Sequence, residues 1–236
     1  MPLVSVLRNY FGNQKKADVG LLLLAALLLA AAALFFFGWL AEEVLEGDAK
    51  RFDDLVRTAV HSFASPALTR VMQGLSLLGS VASVAVLTLL AAFLFFYFHL
   101  HRAATFLVVI MVGAAILDLS LKHAFHRTRP IPYFGMAPAS YSFPSGHALG
   151  SLCFYSALAI ILSARASHTI RIVIWTMATL LIAGIGLSRI YLGVHYPSDV
   201  LAGYSAAIFW VGTVFVIDKC LPPAAKGPEL SSVQPV

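Results

Sequence analysis

Three short polar clusters interrupt a hydrophobic chain, and their residue types suit the handling of phosphate. The first runs from Lys122 through Arg127 and Arg129 to Pro130, and the second is Pro144-Ser145-Gly146-His147. The third joins Ser188-Arg189 to His195 and Asp199. A phosphoryl group in transfer spreads negative charge over its equatorial oxygens, so it needs donors already in place. Arg129 and Arg189 offer planar forks that can each hold two oxygens, and Lys122 offers a mobile point charge. Ser145 stands at the N-cap position of an apolar helix beginning at His147. The backbone amides of Gly146 and His147 would then point out of a helix N-terminus, a ready seat for an anion. Glycine at 146 lets that backbone approach a ligand closely.

The histidines divide the remaining work. His195 precedes Asp199 by four residues, with Pro197-Ser198 between them as a helix start. Asp199 can accept from one imidazole nitrogen and leave the other free to attack phosphorus. His147 can donate a proton to the leaving oxygen. The product of attack is a phosphohistidine that water then hydrolyses. Asp118 lies one turn before Lys122 and is expected either to hold that ammonium or to bond a neighbouring helix, with the first role favoured. Single histidines near a membrane boundary are more often polar anchors, and His61, His99, His101 and His168 are read so. His123, His126 and Arg127 are expected to be solvated at the interface or to touch a headgroup, the former preferred.

The elements that position these groups are helices in lipid. The 236 residues are 60% hydrophobic and 11% charged. Mean hydropathy is +0.86. A soluble domain carries about 25% charged residues. The net charge of +5 would suit nucleic acid, but the cations sit in the clusters or flank apolar runs, so lipid is the expected partner and nucleic acid is not. Spanning about 30 Å of hydrocarbon takes roughly 20 apolar residues. Six stretches qualify, near 19–40, 73–98, 103–121, 147–164, 171–188 and 199–217. The first has an apolar run too long for a cleaved leader. Between the first two spans, residues 51–65 carry Phe52, Leu55, Val56, Ala59, Val60 and Phe63 at helical spacing, with Asp53, Asp54, Arg57 and His61 on the other face. That pattern predicts an interfacial helix. It serves either as a cover for the bundle or as a guide for substrate.

The resulting expectation is an all-α membrane bundle: an N-terminal segment 1–18, a six-helix domain 19–217 and a disordered tail 218–236. Cys153 and Cys220 read as inert thiols. Six spans put both termini on one side and the loops 41–72, 122–146 and 189–198 on the other, so the three clusters share a face. Lys and Arg divide eight to eight, with Arg8, Lys15, Lys16, Arg102, Arg165, Arg171, Lys219 and Lys226 on the terminal side. Setting aside Lys122, Arg129 and Arg189 leaves eight to five, which favours cytoplasmic termini.

In order and spacing, K-x6-R-P (Lys122 to Pro130), P-S-G-H (144–147) and S-R-x5-H-x3-D (188–199) resemble the type 2 phosphatidic acid phosphatase family, whose wider superfamily includes vanadium-dependent haloperoxidases. The resemblance runs from about residue 70 to 217, and all the key positions are occupied. It implies that Lys122, Arg129, Ser145, Gly146 and Arg189 bind phosphate, that His147 is the general acid, and that His195 is the nucleophile with Asp199 as its partner. It also implies a six-helix bundle and a reaction without metal or other cofactor, on the outer face of a membrane, periplasmic in a Gram-negative cell. The size and the lack of glycosylation sequons near the start suggest a bacterial inner-membrane enzyme. The expected substrate is a lipid phosphate or diphosphate: phosphatidic acid, phosphatidylglycerol phosphate, undecaprenyl diphosphate or a lipid A phosphate. Competing readings are a lipid phosphotransferase using the same phosphohistidine, a vanadate-bound peroxidase, which six spans disfavour, and a non-enzymatic anion transporter or scaffold. Nothing in the sequence indicates an oligomeric state.

Overall fold

Apolar runs of this length leave the backbone one way to satisfy its polar groups in lipid, namely helices. The computed structural model describes residues 16–135, 139–164 and 166–221, with no strand among them. Its helices are α1 (Lys16–Glu46), α2 (Ala49–His61), α3 (Pro66–Leu78), α4 (Val81–Tyr97), α5 (His101–Phe125), α6 (Gly146–Ser163), α7 (His168–Tyr191) and α8 (Pro197–Cys220). Five of them, α1 from Gly20 onward and α5 to α8, are long and apolar enough to cross a membrane. The pair α3–α4 is long and apolar enough only when taken together, with a bend of 49° between its helices.

That bend corrects the expectation of one continuous span over 73–98. Gly79 closes α3, and Ser80 starts α4 by accepting from the Ser83 amide at 3.1 Å. A side chain at 79 would collide with Ile185 of α7, so the bend lies where α3 presses on its neighbour. Residues 66–72, read as loop, are therefore helical. The spans expected at 19–40, 103–121, 171–188 and 199–217 run longer, which places Lys122 and Arg189 on their helices and not in loops, while that at 147–164 keeps its length as Gly146–Ser163.

Helix α2 matches the interfacial helix, but its faces differ from the reading. It lies against α7 and α8. Its inner side therefore carries Val56 and Val60, packed on Ala148, Ile190 and Val200, together with a fully buried Asp53. Phe52 and Leu55 are exposed on the outer side, where a bilayer would cover them.

Helix α6 is the centre, packed against α5, α7 and α8, while α1 runs along α8, α3 along α7 and α4 along α5. The main core gathers Leu107, Ile110, Leu149, Cys153, Ala157 and Ala207. Gly203 of α8 sits where a Cβ would be 2.7 Å from the Ser145 carbonyl oxygen, so the two helices meet at the second polar cluster. At the other end of the bundle, Arg102 of α5 pairs with Asp218 of α8 at 2.8 Å. Residues 218–220, assigned to the tail, continue α8. The rest of that tail, most of the 1–18 segment, and Arg8, Lys15, Arg165 and Lys226 of the charge count lie outside the described residues.

Candidate active site

The three clusters meet at one end of the bundle. Each is delivered by a helix end: Lys122 by the last turn of α5, Gly146 and His147 by the first turn of α6, and Arg189 by the last turn of α7. His195 is delivered by the turn before α8, and Asp199 by the first turn of α8 itself. Lys122 Nζ donates to Asp118 Oδ2 at 2.7 Å, so the carboxylate holds the ammonium. A Cβ added at Gly146 would lie 2.8 Å from Asp118 Oδ1 and 2.9 Å from Lys122 Nζ, which brings this pair against the start of α6. Ser145 occupies the N-cap position with extended backbone, as expected, but its hydroxyl makes no capping bond. It is fully buried and its Oγ has no partner. Arg189, 6% exposed, donates through Nη1 to Ser76 Oγ of α3, while its Nε has no partner. His147 stands within electrostatic reach of Arg189, His195, Lys122 and Arg129.

Arg129 leaves α5 on an extended segment and is fixed by carbonyl groups. Its guanidinium donates to Ser140 O at 2.8 Å, Val194 O at 2.9 Å and Tyr141 O at 3.1 Å. Its Nη1 also lies 2.8 Å from His195 Nε2. Because arginine only donates, Nε2 must carry the lone pair. His195 Nδ1 then bears the proton and faces Asp199 Oδ2 at 3.3 Å. Burial pushes the His195 pKa down to about 4, with the Asp199 hydrogen bond and charge opposing and the Arg129 and Arg189 charges assisting. A neutral imidazole with Nε2 as the free base is thus the resting form at neutral pH.

Arg127 corrects the sequence reading. It is neither solvated nor turned to a headgroup: Nη1 donates to Asp199 Oδ1 at 2.6 Å and to Ser198 Oγ at 2.7 Å, and Nη2 donates to Asp53 Oδ2 at 2.8 Å. Tyr196 stacks its ring 4.2 Å from the Arg127 guanidinium carbon. Asp199, wholly buried, also accepts from the Tyr196 amide at 2.9 Å and from Ser142 Oγ. Asp199 therefore caps α8 as well as facing His195. Ser142 has no place in the sequence reading, and Asp53 enters it only on the polar face of the interfacial helix. Arg127 had one usable signal, its place two residues before Arg129 on an extended stretch, which put both on the same side. Asp53 bonds Ser198, 145 positions away, and no local pattern reports such a pairing.

His61 stacks on Tyr133 with ring centroids 3.8 Å apart, outside the cation cluster. His123 bonds its own helix at Leu119 O, and His126 ends α5 in left-handed backbone with its ring 4.6 Å from that of Tyr141. Cys153 is buried and Cys220 exposed, both free thiols. Among the described residues no three His, Cys, Asp or Glu side chains are grouped to hold a metal.

The bundle thus brings three cations, two imidazoles and a buried carboxylate together at one end. Residues 103–219 match the model of the PAP2 superfamily, and the chain belongs to that family. It is 28% identical over 174 residues to phosphatidylglycerophosphatase B of Bacillus subtilis, spanning 72% of this chain and 84% of that one. It is 32% identical over 126 residues to a lipid A 1-phosphatase of Rhizobium johnstonii, spanning 49% of this chain and 48% of that protein. The crystal structure of a transmembrane PAP2-type phosphatidylglycerolphosphate phosphatase from Bacillus subtilis superposes with a TM-score of 0.75 at 26% identity, covering 83% of this chain and 98% of that one. The chain is thus a multi-pass membrane protein of a lipid phosphatase family.

Proposed function

We propose that this protein hydrolyses a lipid phosphate or diphosphate through a phosphohistidine on His195, without a metal. The observation that carries the reading is a set of unpartnered polar atoms. Of the five described buried side-chain atoms without a hydrogen bond, Ser145 Oγ and Arg189 Nε lie in the clusters and Asp118 Oδ1 lies beside Lys122, while Arg57 Nε and His61 Nδ1 lie elsewhere. Buried polar groups are nearly always paired, so atoms left open around cations await a ligand. Two of them can donate, as a phosphate requires.

In this reading Lys122, Arg129, Ser145, the Gly146 amide and Arg189 hold the equatorial oxygens. The Nε2 lone pair of His195 attacks phosphorus, forming the P–N bond as the bond to the lipid oxygen breaks, and His147 gives that oxygen a proton. Asp199 keeps its charge beside Nδ1–H and balances the imidazolium that results. Water then attacks phosphorus, His147 takes its proton, and the P–N bond breaks to release phosphate. Arg129 Nη1, which rests 2.8 Å from His195 Nε2, turns to the phosphate to release that lone pair, and the other cations hold the transferring group before and after each step. A site at helix ends suits an amphiphile whose tails stay in the bilayer. The names of the relatives support phosphatidylglycerol phosphate and lipid A phosphates as substrates, beside phosphatidic acid and undecaprenyl diphosphate. The charge count supports cytoplasmic termini in a bacterial inner membrane with the site on the periplasmic face.

Purified protein in detergent is tested for phosphate release against a panel of lipid monophosphates and diphosphates. His195→Ala is expected to abolish release, and undiminished turnover would overturn the nucleophile assignment. Excess EDTA is expected to leave the rate intact, and loss of turnover restored by a divalent cation would overturn the metal-independent reading. Release that occurs only when a second lipid accepts the phosphate would mark a phosphotransferase instead.

A further inference from the structure

We infer that helix α2 is a strut for the reacting imidazole, with Asp53 as a positioning residue that acts through Arg127 and Ser198 on Asp199. The inference rests on the proposed role of His195. The contact between His195 Nδ1 and Asp199 Oδ2 is long at 3.3 Å, so the carboxylate must be fixed by its other partners if it is to aim the ring. The other Asp199 carboxylate oxygen, Oδ1, accepts from Arg127 Nη1 at 2.6 Å. An arginine with two carboxylates in reach has more than one resting place, and Asp53 decides between them. Asp53 Oδ2 takes Nη2 at 2.8 Å and so leaves Nη1 for Asp199.

The same carboxylate grips the chain directly beside the site. Asp53 accepts from the Ser198 amide at 2.8 Å through Oδ1 and from the Ser198 hydroxyl at 2.6 Å through Oδ2. Ser198 immediately precedes Asp199, so the first turn of α8 is bound to α2 by backbone and side chain alike. Arg127 Nη1 closes the circuit on the Ser198 hydroxyl at 2.7 Å. All polar atoms of the Asp53 carboxylate are thereby used inside the protein, at 0% exposure. A buried carboxylate is expensive unless fully paired, and on an interfacial helix that could have kept it in water the expense calls for a purpose. Asp53, Arg127 and Asp199 together carry one net negative charge, which is the charge needed beside an imidazole that becomes cationic when phosphorylated. Phe52 and Leu55 are exposed on the outer face, where a bilayer would seat the strut while its inner side holds the reacting loop.

The test is steady-state kinetics on the full-length protein in detergent with one lipid phosphate substrate. Asp53→Asn keeps the shape and removes the charge, and kcat is expected to fall about 30-fold, as for other partners that orient a reacting group. KM is expected to stay within about twofold, since no substrate-holding residue is touched. In an Arg127→Gln background the same substitution is expected to cost less than about threefold further, because the path it acts through is already cut. A folded Asp53→Asn protein with wild-type kcat would overturn the inference, as would penalties that simply multiply, or a rise in KM that accounts for the loss. If Asp53→Asn does not fold, Ser198→Ala replaces it, with kcat expected to fall about fivefold and an unchanged kcat again overturning the strut. His195→Ala runs in parallel: full activity there removes the underlying phosphohistidine reading, whereas an inactive His195→Ala beside a normal Asp53→Asn removes the strut alone.

Discussion

Acidification should remove a stability increment that belongs to His195. Its pKa is pushed from an ordinary 6.5 down to about 4, with burial as the main cause. The folded protein therefore resists a proton that the unfolded chain accepts. Stability from this source is complete above pH 6.5 and is lost as the pH falls through the interval from 6.5 to about 4. At 1.36 kcal/mol for each pH unit, the interval is worth about 3 kcal/mol. His195 is 1% exposed, so solvent screening takes little from that figure. Arg129 sharpens the effect, because protonation would set an N–H at Nε2 against the Arg129 N–H that it now accepts at 2.8 Å. The assay is reversible unfolding in mixed micelles at pH 7.5 and pH 4 for the wild type and His195→Gln. Groups common to both proteins cancel in the comparison, and any coupling of His195 to Asp199 is included in it. The wild type should lose about 3 kcal/mol more than the variant on acidification. The acid limb of kcat/KM should likewise fall well below the ordinary imidazole range, since the attacking base stays neutral. Parallel pH dependences of stability, or an acid limb assigned to His195 near pH 6.5, would refute the buried neutral imidazole.

Gly146→Ala places a methyl 2.8 Å from Asp118 Oδ1 and 2.9 Å from Lys122 Nζ, both flexible ends. The fold should survive while inhibition by inorganic phosphate weakens about tenfold, the cost of one charged hydrogen bond. Gly203→Val sets a branched side chain against backbone at Ser145 O and Leu149 N, 2.7 and 3.2 Å from the new Cβ, where nothing can yield. Overpacking there should cost about 1–3 kcal/mol and lower the melting temperature in detergent. Tyr191→Phe removes a hydroxyl that lies 2.8 Å from Thr69 Oγ1 and accepts from the Ser65 amide at 3.2 Å. Stability should fall by about 1 kcal/mol, measured by thermal melting, with kcat unchanged within twofold.

Much of the fold was legible because lipid imposes a simple code. A run of about 20 apolar residues admits one backbone solution, so five long helices were legible from composition, and the remaining stretch is a bent helix pair. The break at Gly79 had a local signal, a C-terminal glycine followed by the N-cap Ser80, but the contact with Ile185 of another helix had none. The faces of α2 were misjudged for a related reason. Periodicity separates apolar from polar positions, yet a helix between a bundle and a bilayer can turn its polar side inward, as Asp53 does. Arg127 was placed in solvent because a cation at a helix end usually finds water.

The types and spacing of the cluster residues were enough, by themselves, to predict a phosphate-handling constellation and to put its residues at one end of the bundle. Phosphate chemistry demands fixed cations, a base and an acid, and these can be recognised wherever they stand in the chain. The Lys122–Asp118 pair was also within reach of the sequence, since neighbours one helical turn apart must meet. Only the tertiary structure decided which imidazole nitrogen carries the lone pair, which buried atoms have no partner, and what holds Asp199 still. Those are matters of distance between groups far apart in sequence, such as Asp53 and Ser198. Hydrogen bonds act over about 3 Å, so their pairing is settled by the packing of helices and not by the order of residues along any one of them.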